Sequence, residues 1–237
     1  MTADRLEHTM TAAFTAARHR PAPPLQELLA QQDEWDRQDR QARHAGEAEM
    51  RVRYLETLGF AADNWQPSWG RLPADYRADL QEYCEDLRGR VQERHGLYLG
   101  AAIGAGKSCA LALLALRARQ LSLSCSYVLA GWALVEACAE ESQPYSGCDV
   151  LILDDIDYVS TAGYEGEARS WDTIGRYLYR RYTGGGAVCI ASNLPYSELS
   201  AKPGMERVAS RWEERLPSRW RMETDAADQR RQPQTTE

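Results

Sequence analysis

The chain has 237 residues, 43% hydrophobic and 27% charged, with a formal net charge of -7, enough for one full-sized core and a small appendage but not for two large domains. No run of about 18 apolar residues occurs, and the stretch from Met1 to Arg20 lacks the basic and apolar regions of a secretory leader, so a soluble, cytoplasmic protein with no membrane partner is expected. The acidic balance confines any DNA contact to a local basic stripe. The six cysteines form no Cys-x-x-Cys pair and sit mostly in apolar runs, so they read as buried thiols rather than as zinc ligands or disulfides.

In chain order, a Pro-rich break at Arg20 to Pro24 precedes Leu25 to Arg53, a stretch of Gln, Asp, Glu, Arg and Ala with few apolar positions. It predicts one or two polar helices, which bury no core of their own and so serve as spacers or as docking surfaces for a partner. Leu55 to Asp75, with Gly59, Pro67, Gly70, Pro73 and two tryptophans, reads as an irregular aromatic connector. Beyond it the pattern alternates: a helix over Asp75 to His95, a strand over Gly96 to Gly100, a helix over Lys107 to Gln120, and a strand over Ser124 to Ala130. Next come a helix over Trp132 to Glu140, a strand over Cys148 to Leu153, a helix near Glu167 to Tyr182 and a strand over Ala187 to Ser192. Alternation of this kind predicts an α/β fold with a central parallel sheet flanked by helices. Pro203 to Gln232 shows no convincing strand and is expected to form a small helical cap.

Three strand ends carry chemistry. Gly96-Leu-Tyr-Leu-Gly100 runs into Ala101-Ala-Ile-Gly104-Ala-Gly106-Lys107-Ser108 and then a helix, the strand, Gly-rich turn and helix context of a phosphate-binding P-loop. In such a loop backbone N–H groups cradle the phosphates, Lys107 reaches the β and γ oxygens and the Ser108 hydroxyl meets Mg²⁺. All but two of the 28 basic residues are arginines, the exceptions being Lys107 and Lys202, and a compact ammonium suits a site between phosphate oxygens better than a planar guanidinium does. The first glycine of the usual pattern is replaced by Ala101, which requires negative φ there. A second strand, Cys148 to Leu153, ends in Asp154 and Asp155, so both acids fall at the carboxyl edge of the sheet, where ligands bind in open α/β folds. Asp154 is expected to hold Mg²⁺ and Asp155 to polarise water. A third strand ends in Ser192-Asn193-Leu194-Pro195, whose Asn193 either orients the water or senses the γ-phosphate, unless Asn193 or Ser192 only caps a turn. Arg207 and Arg211 stand at i and i+4, on one helix face, either free to meet a neighbour's phosphate or paired with Glu206, Glu213 or Glu214.

These motifs, with a terminal Asp228-Gln229-Arg230, resemble in order and spacing the DnaC-type AAA+ ATPases, which include replicative helicase loaders and the related IstB transposition ATPases. The resemblance covers about residues 54 to 231 and extends to Tyr54-Leu-Glu-Thr-Leu-Gly59 and Leu80-Gln-Glu-Tyr-Cys-Glu. It implies that Gly104, Ala105, Gly106, Lys107, Ser108 and Cys109 bind ATP, that Ser108 and Asp154 hold Mg²⁺, and that Asp155 activates water. It also implies that Asn193 is a sensor residue, that Arg211 is an arginine finger with Arg207 beside it, and that Arg230 is a cis-acting sensor arginine. Three departures stand out: Asp155 replaces the Glu of many AAA+ proteins, the loop Ile156 to Gly166 is longer and carries Tyr158 and Tyr164, and no Cys-rich zinc module precedes the P-loop.

The expected organisation is a partner-docking helical extension over 1–53, a P-loop ATPase core over 54–202, and a helical cap and tail over 203–237. The expected function is slow ATP hydrolysis, stimulated by DNA or a partner, that loads or remodels a replicative DNA helicase on single-stranded DNA, with assembly of several copies. The alternatives are an IstB-like ATPase acting with a transposase on duplex DNA, a nucleotide-gated scaffold with little turnover, and a small-molecule kinase, against which the paired acids stand.

Overall fold

The structure is a computed structural model that describes residues 25–60, 67–140, 144–159 and 164–224. The chain divides into two compact units, 1–50 and 51–237. In the first, the polar helix predicted from composition is a single one, α1 (Leu25–Leu58), which continues into the second unit. Its exposed face is tied by local ion pairs, Arg37 to Glu34 at 2.9 Å and Arg43 to Asp39 at 2.7 Å, each worth only about 0.3–0.5 kcal/mol. The helix extends past Arg53 because Leu55 is buried in the core of the second unit. It stops at Gly59, whose φ of 98° permits a left-handed C-cap closed by Phe60 N–H to Leu55 O at 3.0 Å.

The second unit is an α/β sandwich. A 3-10 turn (Trp69–Arg71), α2 (Ala74–Glu85) and α3 (Leu87–Glu93) lead into β1 (Leu97–Ala101). There follow α4 (Lys107–Gln120), β2 (Cys125–Leu129), α5 (Gly131–Glu140), β3 (Val150–Asp154), α6 (Tyr164–Gly184) and β4 (Ala187–Ser192). The chain then forms α7 (Tyr196–Ser200), α8 (Glu206–Arg215), a second 3-10 turn (Ser218–Trp220) and β5 (Arg221–Thr224). The five strands are all parallel, in the order β2-β3-β4-β1-β5.

Burial explains which runs became inner strands. Every residue of β1, β3 and β4 is buried, as expected for strands covered on both faces. Side-chain alternation sends Leu97, Leu99, Ile152 and Cys189 into one core with α2 and α4. Tyr98, Leu151, Leu153 and Ile190 enter the other, with α6 and α8, where Trp171, Leu178 and Trp212 pack. The helix α4 is buried nearly all round, which is why its Leu/Ala run shows no polar face.

The C-terminal segment differs from its expected all-helical form. After α8, the residues Arg221-Met222-Glu223-Thr224 add a parallel edge strand beside β1. Only Met222 of the four is buried, so the stretch carries too little apolar pattern to be seen in sequence. The exposed backbone edge of β1 supplies the pairing that its composition does not. Of the described residues, no helix is long and apolar enough to cross a membrane.

Candidate functional site

The strand order places β4 between β1 and β3, so the three motif-bearing strand ends are neighbours at one edge. Registers are aligned there: Gly100 lies beside Ser192, and Leu153 beside Ile190. Crossing from β1 over to β2 in one direction while β5 lies on the other side of β1 makes this edge the switch point of the sheet.

Ala101 is the last residue of β1, in extended backbone, so the missing first glycine causes no strain. The turn that follows does need glycine: Gly104 and Gly106 have φ of 84° and 92°, the left-handed region closed to most side chains. Gly106 is the N-cap of α4, whose first N–H groups lack helical acceptors and can receive an anion. Ala105 is fully buried, and Cys109 is buried against the preceding 3-10 turn, its thiol 3.7 Å from Ser68 O. Cys109 thus faces the protein in this structure.

Lys107 opens α4 and is only 5% exposed. Its ammonium donates to Ala101 O at 2.7 Å, to Ala102 O at 3.1 Å and to Asn193 Oδ1 at 2.8 Å. Three acceptors match the three N–H groups of an ammonium, which lets a charge reside in a buried place. Asn193 Nδ2 turns the other way, donating to Asp157 Oδ2 at 3.0 Å, and its backbone N–H meets Asp157 Oδ1 at 2.9 Å. Ser192 Oγ donates to the same carboxylate at 2.8 Å while accepting the Leu194 N–H at 3.0 Å. Ser192 therefore shapes the turn, and Asn193 faces the lysine.

Asp154 is 1% exposed. Tyr127 OH donates to its Oδ2 at 3.1 Å and the Asp155 N–H to its Oδ1 at 3.1 Å, and the Ser108 side chain is near enough to favour its charged form. The structure so brings together the two residues expected to share a metal. Burial raises the Asp154 carboxyl above its usual range, opposed by the Ser108 bond, reinforced by the Asp155 charge, and opposed again by the Tyr127 and Asp155 N–H bonds. Ser108 and Asp154 offer the hard oxygen donors that a divalent cation such as Mg²⁺ takes. Asp155 follows with φ of 45°, a conformation that Asp tolerates better than most residues.

Other expected residues lie apart from this cluster. Arg211 is 43% exposed and pairs with Glu214 at 3.6 Å, the pairing considered as its alternative in the sequence. The Arg207 and Tyr164 side chains and the whole of Arg230 lie outside the described residues. Tyr158 is 67% exposed, and Trp132 N–H donates to its carbonyl at 3.1 Å. Among the described residues no cluster of three or more His, Cys, Asp or Glu suits a metal ion. The site's two oxygen ligands would need phosphate or water to complete a magnesium shell. Sequence reasoning missed Tyr127 and Asp157. Asp157 had a visible signal, the third acid in Asp154-Asp155-Ile156-Asp157, and Asn193 was itself a candidate, but the pairing of the two across 36 positions had none.

No family model matches the sequence, and no curated protein matches it. Among solved structures, the chain is similar to DnaI, at 18% identity over 69% of this chain and 90% of that one, with a TM-score of 0.51. It also matches AMPPCP-bound DnaA from Aquifex aeolicus at 19% identity, over 67% of this chain and 49% of that one, with a TM-score of 0.48. Domain III of DnaA from Thermotoga maritima matches at 13% identity over 63% and 64%, with a TM-score of 0.47. The chain spans about half the length of the longer DnaA structures. The sheet order, the helices on both faces and the likeness to DnaI establish an α/β fold of the DnaI kind, with a central five-stranded parallel sheet flanked by helices.

Proposed function

We propose that this protein binds and slowly hydrolyses ATP, and uses that cycle to load or remodel a replicative DNA helicase on single-stranded DNA in the cytoplasm, working as an assembly of copies. The observation that carries the ATPase reading is the buried Lys107 ammonium at the mouth of a left-handed glycine turn, bonded to Asn193 beside the Ser108–Asp154 pair. A buried cation has no packing purpose, and its hydrogen bonds to Ala101 O, Ala102 O and Asn193 Oδ1 go to neutral oxygens, which an incoming phosphate anion can displace.

In this reading the backbone N–H groups of Gly104, Ala105, Gly106, Lys107, Ser108 and Cys109 cradle the phosphates. Ser108 and Asp154 hold Mg²⁺, which when bound neutralises the charge developing on the phosphate oxygens. Asp155 accepts hydrogen bonding from the attacking water and draws its proton. Asn193 orients that water or the terminal phosphate, and Arg211, with Arg207 beside it and Arg230 in the C-terminal tail, supplies positive charge, Arg211 to a neighbouring copy. The helicase and DNA parts of the proposal rest on the resemblance of the motif series to DnaC-type proteins, with α1 as the docking helix.

The test is ATPase activity of the full chain alone, with single-stranded DNA, with duplex DNA and with a replicative DNA helicase. Stimulation by helicase and single strands is expected. Stimulation by duplex DNA alone favours the transposase partner, and no turnover in any arm refutes the ATPase reading.

A further inference from the structure

We infer that Asp157 is a positioning residue: it sets the orientation of the Asn193 amide and, through that amide, the place of the Lys107 ammonium. The inference rests on the ATPase reading above and deepens it.

Asp157 has no place in the phosphate or metal chemistry assigned to its neighbours, yet its carboxylate accepts three hydrogen bonds at this edge. It takes the Ser192 hydroxyl, the Asn193 N–H and the Asn193 side-chain amide, all within 3.0 Å. Its own backbone is held in reach of β4, since the preceding Ile156 N–H donates to Ala191 O at 3.1 Å, and Tyr158 N–H closes the turn on Asp155 O at 2.9 Å. The turn starts from the left-handed Asp155. The acid two positions after the water-activating one is thereby folded back onto the strand that carries Asn193.

The consequence follows from donor and acceptor types. A carboxylate can only accept and an ammonium can only donate, so of the two ways an amide can face, one alone satisfies both partners: Nδ2 to Asp157 and Oδ1 to Lys107. A residue that merely capped the end of β4 would need only the Ser192 and Asn193 backbone bonds. Replacing the carboxylate at this position with an amide keeps those two, because its Oδ1 still accepts, but it presents an NH₂ to the Asn193 NH₂. Relief comes by flipping the Asn193 amide, which then aims NH₂ at the Lys107 ammonium. Asp157→Asn therefore separates orientation from capping.

Two measurements test this. In the nucleotide-free protein, thermal melts are compared for wild type, Asp157→Asn, Asn193→Asp and the double variant. Each single variant faces like groups across the contact, donor to donor or carboxylate to carboxylate, and is expected to melt lower by on the order of 4 °C. The double variant exchanges the two groups, so the contact again joins an amide NH₂ to a carboxylate, and that carboxylate again offers an acceptor to Lys107. It should melt within about 2 °C of wild type. Additive losses without recovery would overturn the proposed network. In steady-state hydrolysis well below the melts, Asp157→Asn should lose about tenfold to a hundredfold in kcat with KM changed less than about threefold, as expected of misplacement rather than lost binding. Wild-type kcat in that variant would overturn the positioning role. A wild-type protein that fails to turn over ATP while the double variant still recovers its melt would sink the ATPase reading instead. Asp157→Ala serves as a second single variant if Asp157→Asn does not fold.

Discussion

Lys107 Nζ and Asn193 Oδ1 are 2.8 Å apart although 86 positions separate them in the chain. The contact joins the carboxyl ends of β1 and β4, adjacent strands of the sheet. It couples the candidate phosphate ligand to the candidate sensor: whatever draws Lys107 away frees the amide oxygen, while Asp157 keeps hold of the amide nitrogen.

Lys107→Ala is accordingly expected to abolish ATP binding and turnover, since no other described cation shares its three acceptors. The chain should still fold. Its stability should change by no more than about 1 kcal/mol, because Ala102 is exposed and its carbonyl keeps the Ala105 N–H at 3.3 Å, and Asn193 is only half-buried. Fluorescent-nucleotide titration and a thermal melt check both halves, and wild-type affinity in this variant would remove Lys107 from the site.

The two acids should separate by pH as well as by activity. The folded Asp154 carboxyl is raised from 3.8 chiefly by burial, so between 3.8 and its folded value the native protein binds more protons than the unfolded chain. Native stability then falls as pH rises through that window. Asp154→Asn removes this slope: with nucleotide and metal absent, the variant's melting temperature relative to wild type should climb with pH and level off above the folded value. A difference that is flat, or that falls with pH, contradicts the assigned shift. Asp155→Asn removes a like charge beside Asp154 and keeps a residue that tolerates φ of 45°, so it should not lower the melt. It should keep nucleotide binding and lose hydrolysis.

The N-terminal extension should be separable. A chain beginning at Arg51 retains Leu55 and Phe60, both buried in the core of the second unit, where Phe60 stacks on Tyr127 at 3.8 Å. It should bind ATP with wild-type affinity and lose helicase in a pull-down. Retained helicase binding would move the docking surface into the ATPase unit.

The helix α4 and strand β4 have the bounds expected from sequence, Lys107 to Gln120 and Ala187 to Ser192, because buried parallel strands and their crossover helices write their burial into uninterrupted apolar runs. The residues at the three strand ends were legible for the same reason, since a polar residue directly after such a run falls at the sheet edge. What sequence could not show depended on partners far along the chain. The strand β5 exists because β1 has an open edge, and four residues with one buried Met give no period. Asp86, between α2 and α3, divides what reads as one helical stretch. Tyr127 reaches Asp154, and Asp157 reaches Asn193, across neighbouring strands, a relation that only strand order supplies.

Arg211 offers the sharpest test of assembly. It lies on α8, whose Val208 and Trp212 are buried in the core shared with α6, while its own guanidinium is 43% exposed and held by Glu214 at 3.6 Å. An exposed i,i+3 pair of this kind contributes at most about 0.5 kcal/mol, too little to hold the guanidinium against a phosphate. Arg211→Ala should therefore melt like wild type and bind ATP normally. If the guanidinium completes the site of an adjacent copy, its removal should slow hydrolysis by on the order of a thousandfold. Mixing decides the matter: Arg211→Ala carries an intact P-loop, Lys107→Ala carries an intact arginine, and where the two co-assemble the mixture should regain part of the activity that each lacks. Unchanged hydrolysis in Arg211→Ala, or no recovery across a range of ratios in mixtures shown to co-assemble, would leave Arg211 as a surface arginine paired with Glu214.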